Sequence, residues 1–214
     1  MSDNQHLLSR RVKALSESAT LEMTRKSREL KEQGIDVITL SIGEPDFNTP
    51  EHVKNAAIQA IYDNKTHYPP VPGTNELRQA IANKLKRDNG LDYKASQIIV
   101  STGAKQSIMN AFFSLINPGD EVIIPAPYWV SYPEMVKMAE GVPVYISSTV
   151  ATDFKVTAEQ LNRAITPKTK AMIFSSPCNP SGTVYDPHEL EAFARILQKH
   201  PHVFVISDEI YEYI

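Results

Sequence analysis

The chain has few of the features that mark several large classes of protein. Cys178 is the only cysteine among 214 residues, which excludes an intrachain disulfide framework and a multi-cysteine metal site. A net charge of -3 gives no basic surface for nucleic acid. No stretch approaches the roughly 20 apolar residues of a membrane span, and the polar residues 1–11 lack the apolar core of a signal peptide. These absences predict a soluble, cytoplasmic protein without a nucleic-acid or membrane partner.

The eight glycines and six histidines exclude further kinds of site. No two glycines have Gly-x-Gly spacing, so the chain has neither the dinucleotide-binding fingerprint nor a P-loop. It contains no Gly-x-Ser-x-Gly turn and no His-Glu-x-x-His pair. The histidines are scattered, and His200 and His202 flank a proline near the end of a predicted helix. We interpret them as surface residues, and we predict no metal site.

What the sequence does contain is an alternation of apolar strands and helices. We predict strands at 36–40, 98–100, 121–124, 143–146, 171–174 and 203–206, and helices at 9–33, 50–63, 74–89, 104–116, 132–139, 157–165 and 187–200. Strands that are apolar throughout are typical of a parallel sheet that helices cover on both faces. The predicted fold class is therefore α/β, with three layers and a mostly parallel sheet. The last strand is expected to have no solvent face.

Several polar and aromatic residues follow the predicted strands. Trp129 follows the strand at 121–124, Asn179 follows the strand at 171–174, and Asp208 and Tyr211 follow the last strand. Ligands of open parallel sheets bind beyond the carboxyl ends of the strands, so these side chains are expected at one rim. Each also has a plain structural interpretation. Asp208 could cap the next helix or end a strand on the surface, Trp129 could pack in the core, and Asn179 could form an ordinary Asn-Pro turn.

The segment Ser101–Lys105 stands between a predicted strand and a predicted helix. The first N–H groups of a helix have no partner within the helix, and the helix dipole favours negative charge there. The segment therefore suits an anion such as phosphate. A Ser-Thr-Gly turn is also a common way to begin a helix, so this alternative stays open.

Taken together, these motifs resemble those of the class I pyridoxal-phosphate aminotransferases, and most of all the bacterial aspartate and aspartate/prephenate aminotransferase branch. The resemblance is carried by Gly43-Glu44-Pro45-Asp46-Phe47, Tyr68 with Gly73, Ser101–Gln106, Tyr128-Trp129, Ser176-Pro177-x-Asn179-Pro180-x-Gly182 and Ser207–Tyr211. It extends from about Ser9 to Ile214. It implies that residues 45–214 belong to the pyridoxal-phosphate-binding large domain of a fold-type I enzyme. Residues 1–44 would then form an N-terminal arm and a segment of a smaller domain.

The resemblance implies roles for the residues that follow the strands. Asp208 would pair with the pyridine nitrogen of pyridoxal 5'-phosphate and keep it protonated, so that the ring accepts electrons. Tyr211 and Asn179 would hydrogen-bond the 3-oxygen of the ring, and Trp129 would stack on its face. Asp208 and Tyr211 are thus the implied catalytic residues, and Trp129 and Asn179 would also contact the substrate. Relatives suggest that the Asn179–Pro180 bond is cis.

The resemblance implies a second set of contacts, to the phosphate and to the substrate. The backbone N–H groups of Gly103, Ala104 and Lys105 would bind the phosphate. Tyr68 would reach the phosphate of a neighbouring subunit, which implies a homodimer. Gly43 would approach the α-carboxylate of the substrate. Lys105 could also meet the distal carboxylate of a dicarboxylic substrate, and an ordinary solvated lysine is the alternative.

One departure from the family pattern concerns the covalent anchor of the cofactor. In the family, the lysine that binds the cofactor covalently follows the segment that matches Asp208–Tyr211, and an arginine for the α-carboxylate comes later. No lysine follows Asp208 in this sequence, and Lys199 is predicted on a surface helix. We therefore interpret the chain as the N-terminal half of an aminotransferase, which holds the residues that bind the cofactor and lacks the anchor.

The predicted reaction of the parent protein is transfer of an amino group from an amino acid, with L-aspartate as first choice, to a 2-oxo acid. Two alternatives stay open. One is a β-lyase or decarboxylase with the same fold and cofactor. The other is a non-catalytic fragment that folds or pairs with a partner, because the chain as it stands lacks the lysine.

Overall fold

The computed structural model describes residues 7–16, 18–40, 43 and 45–213. Some predictions fall outside this range, namely the arm residues 1–6, the motif residue Glu44 and the final residue Ile214. The chain divides into two units, one made of the residues up to Glu22 and from Gly103 onward, the other of Met23–Thr102. The domain boundary predicted near residue 44 stays a prediction.

The described residues form helices and strands with the following bounds. The helices are α1 (Arg10–Lys13), α2 (Ala19–Glu32), α3 (Glu51–Tyr62), α4 (Asn75–Asn89), α5 (Ala104–Leu115), α6 (Ser131–Met138), α7 (Ala158–Ala164) and α8 (Pro187–Leu197). The strands are β1 (Glu121–Pro125), β2 (Val142–Ile146), β3 (Thr169–Ser175) and β4 (Phe204–Asp208). Across the described ranges, no helix combines the length and the apolar character that crossing a bilayer requires.

The four strands pair in the order β2-β1-β3-β4, and every pair is parallel. Successive side chains of a strand point to opposite faces of the sheet. Ile124 accordingly belongs to a buried cluster with residues of α5 and α6, whereas its neighbour Ile123 belongs to a second cluster with residues of α7 and α8. The sheet therefore lies between two helical layers, and the predicted three-layer α/β class is confirmed.

The surroundings of β4 differ from the prediction. We expected a strand with no solvent face, but Phe204 is 49% exposed and Val205 is 46% exposed. The reason is that β4 stands at the edge of the described sheet, where β3 is its one hydrogen-bonded neighbour. Asp208, at the carboxyl end, is the buried residue of this strand.

Two predicted strands, at 36–40 and 98–100, are wrong, because both segments are irregular in the structure. A strand needs a neighbour that takes up its backbone hydrogen bonds. The Val100 N–H instead donates to the carbonyl oxygen of Pro72 at 3.0 Å, in the turn-rich segment before α4. These two segments therefore stay irregular, because the described residues offer no neighbouring strand with which they could pair.

The single helix predicted over 9–33 is also wrong, since α1 and α2 are separate. The backbone N–H of Ser16 donates to Glu134 Oε2 at 2.8 Å, which replaces a bond along the helix. Ser18 Oγ then accepts from the Leu21 N–H and caps the start of α2. The predicted end at Gly34 is confirmed. Gly34 has a φ of +79°, and the Ile35 N–H bonds back to the Leu30 carbonyl at 3.1 Å.

The second core cluster gives a test of the fold. Leu161 on α7 is completely buried, whereas Leu190 on α8 is 37% exposed. We expect Leu161→Ala to lower the free energy of unfolding of the full-length protein by about 2–5 kcal/mol, because truncation leaves a cavity. The control Leu190→Ala should cost about 1 kcal/mol or less. Chemical denaturation measures both changes, and equal losses would contradict the described core.

Candidate active site

The candidate site lies at the carboxyl edge of the sheet. Because all four strands are parallel, the ends of β1, β3 and β4 meet at the same edge. Trp129 follows the end of β1, Asn179 follows the end of β3, and Asp208 is the last residue of β4. Ser175 and Asp208 are register partners at the ends of their strands. Trp129, Asn179 and Asp208 thus lie at one rim, as expected for ligand sites in open parallel sheets.

Asp208 is held by two hydrogen bonds. The hydroxyl of Tyr132 donates to Asp208 Oδ2 at 2.7 Å, and the backbone N–H of Ile210 donates to Oδ1 at 3.3 Å. Asp208 is 9% exposed and Tyr132 is 1% exposed. A buried carboxylate with a donor on each oxygen keeps one orientation, which suits a group that must face a ligand.

The electrostatics of this pair favour a protonated phenol. Burial raises the pKa of the Tyr132 hydroxyl, and the hydrogen bond to Asp208 and the charge of that carboxylate raise it further. A hydrogen bond with Ser175 acts in the opposite direction and is outweighed. Tyr132 therefore stays a donor to Asp208 across the neutral pH range.

Trp129 and Lys105 extend this set of contacts. The rings of Trp129 and Tyr132 meet edge to face, with centroids 5.5 Å apart and an interplanar angle of 89°. The ammonium of Lys105 lies 4.8 Å from the centroid of the Trp129 ring, within the range of a cation–π interaction. A continuous path of contacts therefore runs from Lys105 through Trp129 and Tyr132 to Asp208.

Asn179 and Tyr211 form a second pair at the rim. Asn179 Nδ2 donates to the Tyr211 hydroxyl oxygen at 3.0 Å, and both residues are half-buried. The phenol accepts this bond and keeps its own proton for another acceptor. The Asn179–Pro180 peptide is cis, as predicted. The neighbouring Cys178 Sγ lies 3.4 Å from the Pro127 carbonyl oxygen, so the loops after β1 and β3 are in contact.

The start of α5 has the geometry of an anion site. Gly103 precedes the helix with φ +85° and ψ 158°, a conformation that is essentially restricted to glycine. The N-cap residue Gly103 has no side chain of its own that could cap the first N–H groups of the helix. The N–H groups of the first turn, which include those of Ala104 and Lys105, have no acceptor along the helix. They can therefore bind a phosphate.

An open cavity of about 630 Å³ adjoins Trp129 and Lys105. Its wall is completed by residues of the N-terminal segment, of the loop and helix after β1, and of β2: Ser16, Ser18, Ala19, Thr20, Leu21, Tyr128, Val130, Ser131, Pro133, Glu134, Lys137 and Tyr145. Burial acts to raise the pKa of the Glu134 carboxyl, but hydrogen bonds from Lys137 and Ser16 outweigh it and lower that pKa. The volume is in the range of small-molecule sites, although Asp208, Asn179 and Tyr211 do not line this cavity.

Two predicted site residues, Tyr68 and Gly43, belong to the other unit. Tyr68 is fully exposed in an irregular segment that ends at Gly73. Gly73 has a φ of +97°, and a Cβ added there would lie 2.7 Å from Val100 Cγ2, so glycine is required. Gly43 is exposed, with no atom within 4 Å of an added Cβ. The roles predicted for Tyr68 and Gly43 stay predictions.

Tyr132 is the site residue that sequence reasoning missed. The sequence predicts it only as the first residue of a helix, and nothing in the strand-end pattern points to it. Trp129 precedes α6 (Ser131–Met138), so helical spacing between the two residues gave no signal for Tyr132. Elsewhere in the described ranges, no group of three or more His, Cys, Asp and Glu side chains could hold a metal ion.

Comparison with known proteins gives consistent matches. The sequence profile of the family described as "Aminotransferase class I and II" matches residues 35–214. An aspartate aminotransferase of Bacillus sp. (strain YM-2) is 54% identical over 208 residues, which cover 97% of this chain and 53% of that protein. An aspartate/prephenate aminotransferase of Nitrosomonas europaea is 49% identical over 207 residues, which cover 97% of this chain and 52% of that protein.

A solved structure, the aspartate aminotransferase of Thermus thermophilus with maleate, has a TM-score of 0.91 and 49% identity. The match covers 96% of this chain and 53% of that one. The chain thus spans about half the length of the curated relatives it matches.

The raised pKa of Tyr132 predicts a specific titration. A folded-state pKa above the unfolded value of about 10 stabilises the fold below that pH, and this contribution is lost as pH rises through the folded value. Ultraviolet titration of full-length wild type and Tyr132→Phe should give the same phenolate signal up to about pH 11. In denaturant, wild type should show one more phenolate than Tyr132→Phe, because Tyr132 then titrates as well. A difference in the folded state near pH 10 would contradict the prediction.

Proposed function

Because the chain belongs to the family of class I and II aminotransferases, we propose that its protein transfers an amino group from an amino acid to a 2-oxo acid, with pyridoxal 5'-phosphate as cofactor. The observation that carries the proposal is the arrangement around Asp208. This buried carboxylate ends β4 and accepts from a phenol, and the Asn179–Tyr211 pair lies in the adjoining loops. Converging polar groups of this kind suit a small, charged cofactor.

The donor set at the rim fits the functional groups of pyridoxal phosphate. An acidic side chain suits a protonated ring nitrogen, a phenol and an amide suit the ring 3-oxygen, and an indole suits the flat face. When bound, the cofactor supplies an electron-accepting ring that stabilises negative charge at the α-carbon of the substrate. Asp208 would hold the proton at the ring nitrogen. Tyr211 and Asn179 would bind the 3-oxygen, and Trp129 would stack on the ring.

The start of α5 supplies the proposed phosphate site. The N–H groups of Gly103, Ala104 and Lys105 would bind the phosphate oxygens, and Gly103, as the N-cap residue, has no side chain that competes with the anion. Tyr68 of a second subunit would complete this site, which makes a homodimer part of the proposal. A cytoplasmic location is likewise part of it.

For the substrate, we propose L-aspartate as the first amino donor. The names of the matching relatives support this choice, as does the Thermus thermophilus enzyme, whose structure was solved with maleate, a dicarboxylate. Lys105 would meet the distal carboxylate, since its ammonium lies above the Trp129 ring and lines the large cavity. Gly43 would approach the α-carboxylate. The lysine that anchors the cofactor is proposed to lie outside residues 1–214, because the relatives are about twice as long.

A donor screen of the full-length protein tests the reaction. The protein with pyridoxal phosphate and 2-oxoglutarate should convert L-aspartate faster than monocarboxylic amino acids, with glutamate as product. Release of ammonia together with pyruvate would indicate a β-lyase instead, and release of carbon dioxide would indicate a decarboxylase. Absence of turnover with every donor would refute the proposed catalysis.

The role of Asp208 is tested by Asp208→Asn in the full-length protein. The amide cannot supply the negative charge that holds a proton on the ring, so we expect kcat to fall by about 100-fold or more with the fold intact. The control is Asp186→Asn, which keeps a capping side chain at the start of α8. It should leave kcat within about twofold. Near-normal turnover of Asp208→Asn would refute the assigned role.

The phosphate site is tested by Gly103→Ala. The added methyl group has space, but the backbone conformation is unfavourable for alanine by about 1–3 kcal/mol, and relaxation would turn the N–H groups away from the phosphate. The affinity for pyridoxal phosphate should fall by about tenfold. Gly119→Ala is the matched control, since Gly119 also has positive φ and open space but lies in the turn before β1. Equal affinities of the two variants would contradict the assigned phosphate site.

A further inference from the structure

We propose that Tyr132 is a positioning residue that holds Asp208 and Trp129 in a fixed relation around the cofactor. The inference rests on the proposed function and extends it to a residue that the sequence motifs do not include. Tyr132 is the one residue that the described contacts join to both side chains. Its hydroxyl donates to Asp208 Oδ2 at 2.7 Å, and its ring meets that of Trp129 edge to face at 5.5 Å.

The position of Asp208 explains why such a residue is needed. β4 is the edge strand of the described sheet, and Phe204 and Val205 are about half exposed. Its carboxyl end is therefore tied to the sheet by β3 alone, through the register pair Ser175–Asp208. The hydrogen bond from Tyr132 supplies a second attachment, from the helical layer. Because it acts on the carboxylate itself, it sets the direction in which the free lone pairs of Asp208 point.

Tyr132 is itself held rigidly. It is 1% exposed and belongs to the first core cluster together with Phe112, Val136 and Ile124, each completely buried. Side chains in a close-packed core occupy one rotamer. The hydroxyl therefore has a fixed position, and its buried, protonated state makes it a constant donor to Asp208.

The contact with Trp129 has a separate consequence. An edge-to-face pair fixes the plane of each ring relative to the other. The indole plane is thus defined by the same phenol that orients the carboxylate. A flat cofactor that stacks on Trp129 and pairs with Asp208 must match the plane of the indole and the orientation of the carboxylate at once. Tyr132 contacts both side chains and so links these two orientations.

A plain core tyrosine is the alternative, and the two roles differ in what they affect. A core residue contributes to stability whether or not a ligand binds. A positioning residue affects cofactor affinity and kcat through Asp208, so its effect depends on the presence of that carboxylate. The test therefore compares Tyr132 with another buried tyrosine and then removes Asp208.

The first experiment uses Tyr132→Phe and the control Tyr185→Phe in the full-length protein. Tyr185 is 7% exposed, and its hydroxyl accepts from the Val156 N–H at 3.0 Å, so the control also removes a buried hydroxyl. For each variant we would measure the affinity of the apoenzyme for pyridoxal phosphate by equilibrium dialysis. The values of kcat and KM for L-aspartate and the thermal unfolding of the apoenzyme would be measured as well. We expect Tyr132→Phe to weaken cofactor binding and to lower kcat by about tenfold each, with KM within about twofold. Tyr185→Phe should leave cofactor affinity, kcat and KM within about twofold of wild type.

The second experiment is a double-mutant cycle with Asp208→Asn. If Tyr132 acts through Asp208, adding Tyr132→Phe to Asp208→Asn should change cofactor affinity by less than about twofold. An undiminished tenfold effect in that background would overturn the proposal. So would a Tyr132→Phe enzyme that matches Tyr185→Phe in affinity and kcat, or one whose main defect is unfolding. Normal affinity and turnover of Asp208→Asn alone would refute the role of Asp208 and with it this inference, whereas failure of the proposed function would appear separately, as absence of turnover in the donor screen.

Discussion

Parallel pairing of β1 with β2 and β3 is the constraint on which the rest of the structure depends. The central residues of β1 and β3 are completely buried, because helices cover both faces of the sheet. Parallel strands need a crossover between them, so every return connection is a helix and every strand points the same way. The loops that carry Trp129 and Asn179 consequently begin at the same rim at which Asp208 ends β4.

The chemistry at this rim is organised by a small number of side-chain contacts. Lys105, Trp129, Tyr132 and Asp208 form one path, and Asn179 and Tyr211 form a pair in the loops beside it. This path joins α5, the loop after β1 and α6 to β4, which lies much later in the sequence. A carboxylate on an edge strand is in this way tied to the buried helical layer. Burial keeps Tyr132 protonated, so the attachment does not change near neutral pH.

Membership of the class I and II aminotransferases confirms the resemblance that the motifs indicated. Most of the candidate rim could be predicted, because Asp208 ends a strand, Trp129, Asn179 and Tyr211 stand within four residues after one, and apolar runs indicate where strands end. Tyr132 could not be found in this way. It lies within a helix, and its partner Asp208 stands in a strand far along the chain. Hydrogen bonds between such elements leave no pattern of local spacing.

The sequence by itself indicated the apolar runs that became β1 to β4, and it determined the helix start at Thr157 and the helix end at Gly34, because capping acts over a few residues. The tertiary structure decided the remainder. Residues 36–40 and 98–100 are largely apolar yet irregular, and Phe204 and Val205 of β4 are about half exposed, since strand formation and burial depend on neighbours that no local pattern specifies. The break between α1 and α2 has the same origin, because Glu134, far along the chain, accepts the hydrogen bond of the Ser16 N–H.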